Sequence, residues 1–120
     1  MKLTKQEAID LHRQKWLWIA EETEKQQRIV KAKEYFETAG LEEPLLYSYC
    51  CEFAKNRPRG RVCDNCPIQW PHSYNNETAP DSPCLNSYYY QWSHARKWER
   101  ASVLARKIAN LKILGETINA

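Results

Sequence analysis

The sequence predicts a mainly α-helical protein in which two long helices flank an irregular, cysteine-rich insert. Three observations lead to this prediction: apolar residues recur with helical periodicity at both ends, prolines punctuate the middle, and five cysteines lie within that middle part. A length of 120 residues is typical of one domain. We therefore expect a single domain over 1–120, with an N-terminal long helix (1–43), the insert (44–85) and a C-terminal helix (86–120).

The first helix is predicted over about residues 4–39. Thr4 and Glu7 have the spacing of a capping box, in which the threonine caps the helix and the glutamate reaches back. Gly40 can adopt the left-handed backbone conformation that commonly ends a helix. The apolar residues between them form two offset stripes, so the helix has a broad apolar face that suits more than one neighbour.

The second helix is predicted over about residues 83–114. Ser82 suits the N-cap and Pro83 the first helical position, while Gly115 ends the helix. Because the two helices are nearly equal in length, we expect them to form an antiparallel helical pair. Their broad apolar faces also leave a homodimer as an alternative to a monomer.

The cysteines of the insert have the spacing of a zinc site. With Cys51 as the first ligand they read C-x11-C-x2-C-x17-C, in which the central C-x-x-C lets two thiolates of one turn bind the same ion. Four thiolates hold Zn²⁺ tetrahedrally, and such a structural ion would order a long, proline-rich loop. The expected ligands are Cys51, Cys63, Cys66 and Cys84. Cys50 and His72 are alternative ligands, because spacing does not choose between neighbouring thiols and imidazole also binds zinc.

Two other interpretations of the cysteines remain open. They could be buried free thiols, since cysteine packs as a small hydrophobic residue. Cys63 and Cys66 could also form a redox pair, although the sequence lacks the βαβ pattern that accompanies a thiol oxidoreductase of this kind. A closed four-cysteine site has no open position for water, and no other catalytic set is present. We therefore expect a protein without enzymatic activity.

Basic and aromatic residues provide candidates for a binding surface. The formal charge is +3, and adding −2 for four thiolates and one Zn²⁺ leaves about +1, which weakens a purely electrostatic case for nucleic acid. Nucleic acid and a protein partner both stay open, as does a simple solvated helix face. The candidate residues are Arg57, Arg59, Arg61, Arg96, Lys97, Arg100, Lys107, Tyr89 and Tyr90.

The cysteine-rich part of the sequence resembles a known group of proteins. Its C-E-F-A, C-D-N-C-P-I-Q-W and C…Y-Y-Y-Q-W segments, within about residues 48–98, are similar to those of small, largely uncharacterised bacteriophage proteins with a four-cysteine zinc knuckle. Such proteins often have a further cysteine where this chain has Ser48. The resemblance implies a phage accessory factor that binds and modulates a host or defence protein.

The sequence also predicts where the protein resides. It contains no apolar run of 18 or more residues, and its polar N-terminus has no apolar signal region. We therefore expect no membrane association and a location in the cytoplasm, which would be that of the bacterial host for a phage protein. In that reducing compartment, thiols bind metal or stay free more often than they form disulfides.

Overall fold

The computed structural model describes residues 3–41, 49, 67 and 88–111, and these residues are mainly helical. Four helices lie in them, and no strand is present in these ranges. The predicted mainly α class is therefore confirmed. The helices are α1 (Lys5–Gln26), α2 (Ala32–Ala39), α3 (Tyr88–Ser93) and α4 (Trp98–Ala109).

The predicted capping box at the start of α1 is present. The Thr4 hydroxyl accepts a hydrogen bond from the backbone N–H of Glu7 at 3.1 Å. In return, the Glu7 carboxylate accepts one from the N–H of Thr4 at 2.9 Å, and these bonds lower the pKa of the carboxyl. Gly40 also adopts the predicted left-handed conformation, with φ of 66°, although the helix that it ends is α2.

The expectation of one helix over about 4–39 is wrong between α1 and α2. α1 ends at Gln26, and Gln27 adopts a left-handed backbone with φ of 53°. The Thr23 hydroxyl then accepts a hydrogen bond from the N–H of Val30 at 3.2 Å, and Val30 is fully buried. The chain turns here because a threonine side chain replaces the helical acceptor and the turn buries a valine.

The expectation of one helix over about 83–114 is also wrong, because α3 ends at Ser93 and α4 begins only at Trp98. The Tyr90 carbonyl accepts hydrogen bonds from the Ser93 hydroxyl at 3.0 Å and from the N–H of His94 at 3.1 Å. The His94 Nδ1 lies 2.9 Å from the same oxygen. Polar side chains thus compete for the last helical acceptor, and the helix ends without glycine or proline.

α1 and α4 pack directly against each other and form the main core. Alanines on α4 let the two backbones approach closely, and the ring of Trp16 meets Trp92 of α3 edge to face at 4.7 Å between centroids. The antiparallel direction of the pair stays a prediction. The buried apolar residues of this core are Ile9, Trp16, Ile19, Ala20, Trp92, Ala101, Leu104, Ala105, Ile108, Ala109 and Leu111.

A second, smaller cluster joins α2 to the start of the insert. Tyr35, Phe36 and Tyr49 are buried together. The ring centroid of Phe36 lies 5.4 Å from that of Tyr35 and 5.7 Å from that of Tyr49. Both pairs have the edge-to-face geometry that aromatic rings prefer. The only other described residue of the insert, Pro67, is also buried. None of the described helices combines the length and the apolar character needed to cross a bilayer.

Candidate zinc centre and basic face

The predicted zinc ligands lie outside the residues that the structure describes. This holds for the cysteines at positions 50, 51, 63, 66 and 84, for His72, and for the arginines at positions 57, 59 and 61. Among residues 3–41, 49, 67 and 88–111, no three histidine or carboxylate side chains group as ligands for a metal ion. The four-cysteine site and its zinc therefore stay predictions, supported by the chemistry of the donor set.

Some of the described residues are close to the cysteines in sequence. Tyr49 directly precedes Cys50 and is 1% exposed against Phe36, and the buried Pro67 directly follows Cys66. α3 begins four residues after Cys84. Tyr49 thus packs on α2 directly before the first of the five cysteines.

A lysine that sequence reasoning missed is buried beside one of these anchors. Lys15 of α1 is 2% exposed, and its Nζ lies 5.0 Å from the ring centroid of Trp16. The same nitrogen lies 5.7 Å from the ring of Phe36 and 5.8 Å from that of Tyr49. Three aromatic faces attract the cation where water is excluded, so they offset part of the cost of burying it. We call these three rings and the lysine the Lys15 cage.

His12 is the second buried polar residue of α1. Its Nε2 lies 3.0 Å from the carbonyl oxygen of Ile108, so in the neutral tautomer protonated there it donates a hydrogen bond to α4. Desolvation lowers the pKa of His12 to about 4, and the charges of Lys15 and Arg13 act in the same direction. The imidazole is therefore neutral at pH 7 and joins two helices.

The Tyr49 hydroxyl and the Trp92 indole N–H are buried without a hydrogen-bond partner among the described residues. An unpaired buried group of this kind costs about 1–3 kcal/mol. Burial raises the pKa of Tyr49 to about 12, with a smaller contribution from Tyr35, so its hydroxyl stays protonated. Tyr49 contributes to the Lys15 cage through its ring.

The predicted basic residues of the C-terminal part are exposed. Arg96 and Lys97 precede α4, while Arg100 and Lys107 lie on it. Arg100 Nη2 donates to the side-chain oxygen of Gln91 at 2.8 Å, and Lys107 Nζ lies 5.4 Å from the ring centroid of Tyr88. α3 therefore holds two of these cations through uncharged groups.

The two candidate tyrosines differ in their surroundings. Tyr89 is only partly exposed and packs on the core, with its ring centroid 6.0 Å from that of Trp16 and 5.8 Å from that of Trp92. Tyr90 stacks on the ring of His94 at 4.1 Å. Of the two, Tyr89 belongs mainly to the core, whereas Tyr90 pairs with a neighbouring surface ring.

Comparison with known proteins gives no relative for this chain: no protein-family model, no curated protein and no solved structure matches it. The resemblance to phage zinc-knuckle proteins accordingly rests on the quoted segments alone. What this chain does has to be argued from its own residues.

Proposed function

We propose that this chain is a zinc-stabilised interaction protein without enzymatic activity. The observation that carries the proposal is the cysteine pattern C-x11-C-x2-C-x17-C, which lies between helices of a folded core. Four thiolates match the preference of structural zinc for a closed tetrahedral site. Such a site leaves no position for a reacting water, which supports a binding role rather than catalysis.

The anchored flanks of the insert support the same proposal. Tyr49 and Pro67, which are adjacent in sequence to Cys50 and Cys66, are both buried, and Tyr49 packs on Phe36 of α2. A metal ion that ties such segments together contributes its binding free energy directly to folding. The insert would then be ordered by metal binding as well as by the contact between Tyr49 and Phe36.

The cysteine variants provide a matched test. Zinc released from the denatured protein can be measured with a chromogenic chelator for Cys66→Ser and Cys50→Ser side by side. We expect Cys66→Ser to lose most of its zinc, because three thiolates hold the ion poorly, and Cys50→Ser to retain one zinc per chain. Zinc retained by both variants would refute the proposed ligand set, and zinc lost from both would assign the first ligand to Cys50 instead of Cys51.

The resemblance to phage proteins supports a more specific proposal, a small accessory factor that binds a host or defence protein. The exposed cations Arg100 and Lys107 and the partly exposed tyrosines of α3 are suited to such binding, because side chains that are already held lose little entropy on association. The role calls for no catalytic group.

Nucleic acid binding is the second candidate. The exposed cations Arg96, Lys97, Arg100 and Lys107 favour it, since none of them pairs with a carboxylate among the described residues. Binding to phosphates would weaken steeply with salt, with a slope that reports the number of contacts. The test is the affinity for single- and double-stranded oligonucleotides at several salt concentrations. Absence of binding even at low salt would eliminate this candidate.

A further inference from the structure

We infer that the exposed surface of α3 and α4 docks an acidic protein segment that also presents an apolar side chain. We call this surface the α3–α4 face and define it by Tyr88, Gln91, Arg100, Val103 and Lys107. The inference rests on the proposed function, an interaction protein, and specifies the chemistry of its partner.

Val103 forms the apolar centre of this face. It is 47% exposed, and the only other large hydrophobic residue exposed to a similar degree in the described ranges is Leu41. Arg100 lies three residues before Val103 and Lys107 four residues after it, so all three share one side of the helix. An apolar centre between cations is the arrangement in which protein interfaces place a hydrophobic core inside a polar rim.

Neutral groups hold the two cations of this face, and no carboxylate of the described residues pairs with either of them. Gln91 accepts a hydrogen bond from Arg100 at 2.8 Å, and the ring of Tyr88 lies 5.4 Å from the Lys107 ammonium. Elsewhere the pairing is different: Arg106 donates two hydrogen bonds to the Glu24 carboxylate, at 2.8 and 3.0 Å. A cation whose side chain is already held, while its charge is uncompensated, offers an incoming carboxylate attraction at a small entropic cost.

The face fits an acidic protein segment better than nucleic acid. Phosphate binding draws on cations alone and gains nothing from a valine at the centre. A partner with carboxylates around a leucine or similar side chain matches the charge and covers Val103.

The test uses three fluorescein-labelled probes on the full chain. The first is a synthetic peptide with leucines at helical spacing among glutamates, the second has serines in place of those leucines, and the third is oligodeoxythymidine of similar charge. Fluorescence anisotropy gives the dissociation constants. We expect the leucine peptide to bind more tightly than either of the others.

Two variants and one control assign this binding to the face. The double variant Arg100→Gln, Lys107→Gln should weaken leucine-peptide binding by about tenfold, because it removes both cations. Val103→Ser should weaken that peptide by about threefold while leaving the serine peptide unchanged. Lys33→Gln, which removes an exposed lysine of α2, is the matched control and should change none of the three affinities.

The result that overturns the inference is leucine-peptide binding that is absent, no tighter than serine-peptide binding, or unchanged in the double variant. Tighter binding of oligodeoxythymidine, insensitive to Val103→Ser, would overturn it in favour of a nucleic-acid surface. Zinc content measured on the same preparations distinguishes a failure of the α3–α4 face from a failure of the zinc proposal. A chain with one zinc and no peptide selectivity refutes only the α3–α4 face.

Discussion

Lys15 and Lys107 both lie against aromatic rings, but Lys15 is buried in the core and Lys107 is exposed at the surface, so the first suits a structural role and the second a binding role. Lys15 is 2% exposed within three rings, whereas Lys107 is exposed and lies over one ring, that of Tyr88. A buried cation stabilises the fold only while its cage is complete. An exposed cation held by a neutral group adds little stability and stays accessible to a partner. The same interaction can thus serve the core or the surface, and burial decides which.

The largest expected effect is that of removing the buried lysine from the Lys15 cage. Lys15→Ala should lower the free energy of unfolding by about 3 kcal/mol, because it leaves a cavity among the three rings. Lys107→Ala should change the same quantity by no more than about 0.5 kcal/mol, as exposed substitutions usually do. Chemical denaturation of both variants, with zinc and reductant present, makes the measurement.

Lys15→Met is the control for volume, since it retains most of the aliphatic stem without the charge. We expect a loss between those of the two alanine variants, about 1 kcal/mol, from the missing cation–π contacts. If Lys15→Ala proves as mild as Lys107→Ala, the cage is not a structural element and the comparison fails.

The second prediction concerns His12, which is also buried on α1. Its pKa is about 4 in the folded protein against 6.5 in the unfolded chain, so the unfolded chain takes up the proton first. The stability that depends on a neutral His12 is therefore complete above about pH 6.5 and is lost as the pH falls toward 4. The expected loss is about 3 kcal/mol, from 1.36 kcal/mol for each unit of pKa difference.

Stability curves of the wild type and His12→Gln between pH 4 and 7 isolate this contribution. Glutamine has an amide donor that can still reach the Ile108 carbonyl, but it does not titrate. The difference in free energy of unfolding between the two proteins should shrink as the pH falls. A difference that is constant over this range would show that His12 does not remain neutral inside the fold.

The smallest expected effect is that of removing the Tyr49 hydroxyl, which tests whether Tyr49 serves the Lys15 cage through its ring alone. Tyr49→Phe removes a buried hydroxyl that has no partner among the described residues and keeps the ring that faces Lys15. The variant should be unchanged or up to about 1 kcal/mol more stable, because the unpaired group disappears. Tyr35→Phe is the control, since the Tyr35 hydroxyl is not one of these unpaired groups, and it should bring no gain. Destabilisation by Tyr49→Phe would mean that the hydroxyl has a partner beyond the described part of the chain.

Some features of the fold could be predicted from sequence because their causes are local. The Thr4–Glu7 capping box and the left-handed Gly40 depend on residues within one turn, and both are present. The two helix breaks could not be predicted in this way, because neither contains glycine or proline. They depend on where Val30 is buried and on which side chains reach the Tyr90 carbonyl, and these are properties of the packed chain.

In the candidate sites too, the features with local causes could be predicted from sequence, and those that depend on packing could not. Spacing alone reveals four cysteines suited to zinc, whereas the choice between Cys50 and Cys51 depends on geometry that spacing does not contain. The burial of Lys15 was missed because a lysine beside a helical stripe normally points to water; the rings that hold it come from α1, α2 and the start of the insert. The burial of Lys15 is visible only from contacts between residues that are far apart in sequence.

The most direct measurement for the central claim is the metal content of the purified wild-type chain by native mass spectrometry, paired with a thiol count after denaturation and chelation. The account predicts one zinc per chain and five free thiols, in agreement with the five cysteines of the sequence. A chain without metal, or with two thiols missing under non-reducing conditions, would contradict it and favour a redox role for Cys63 and Cys66.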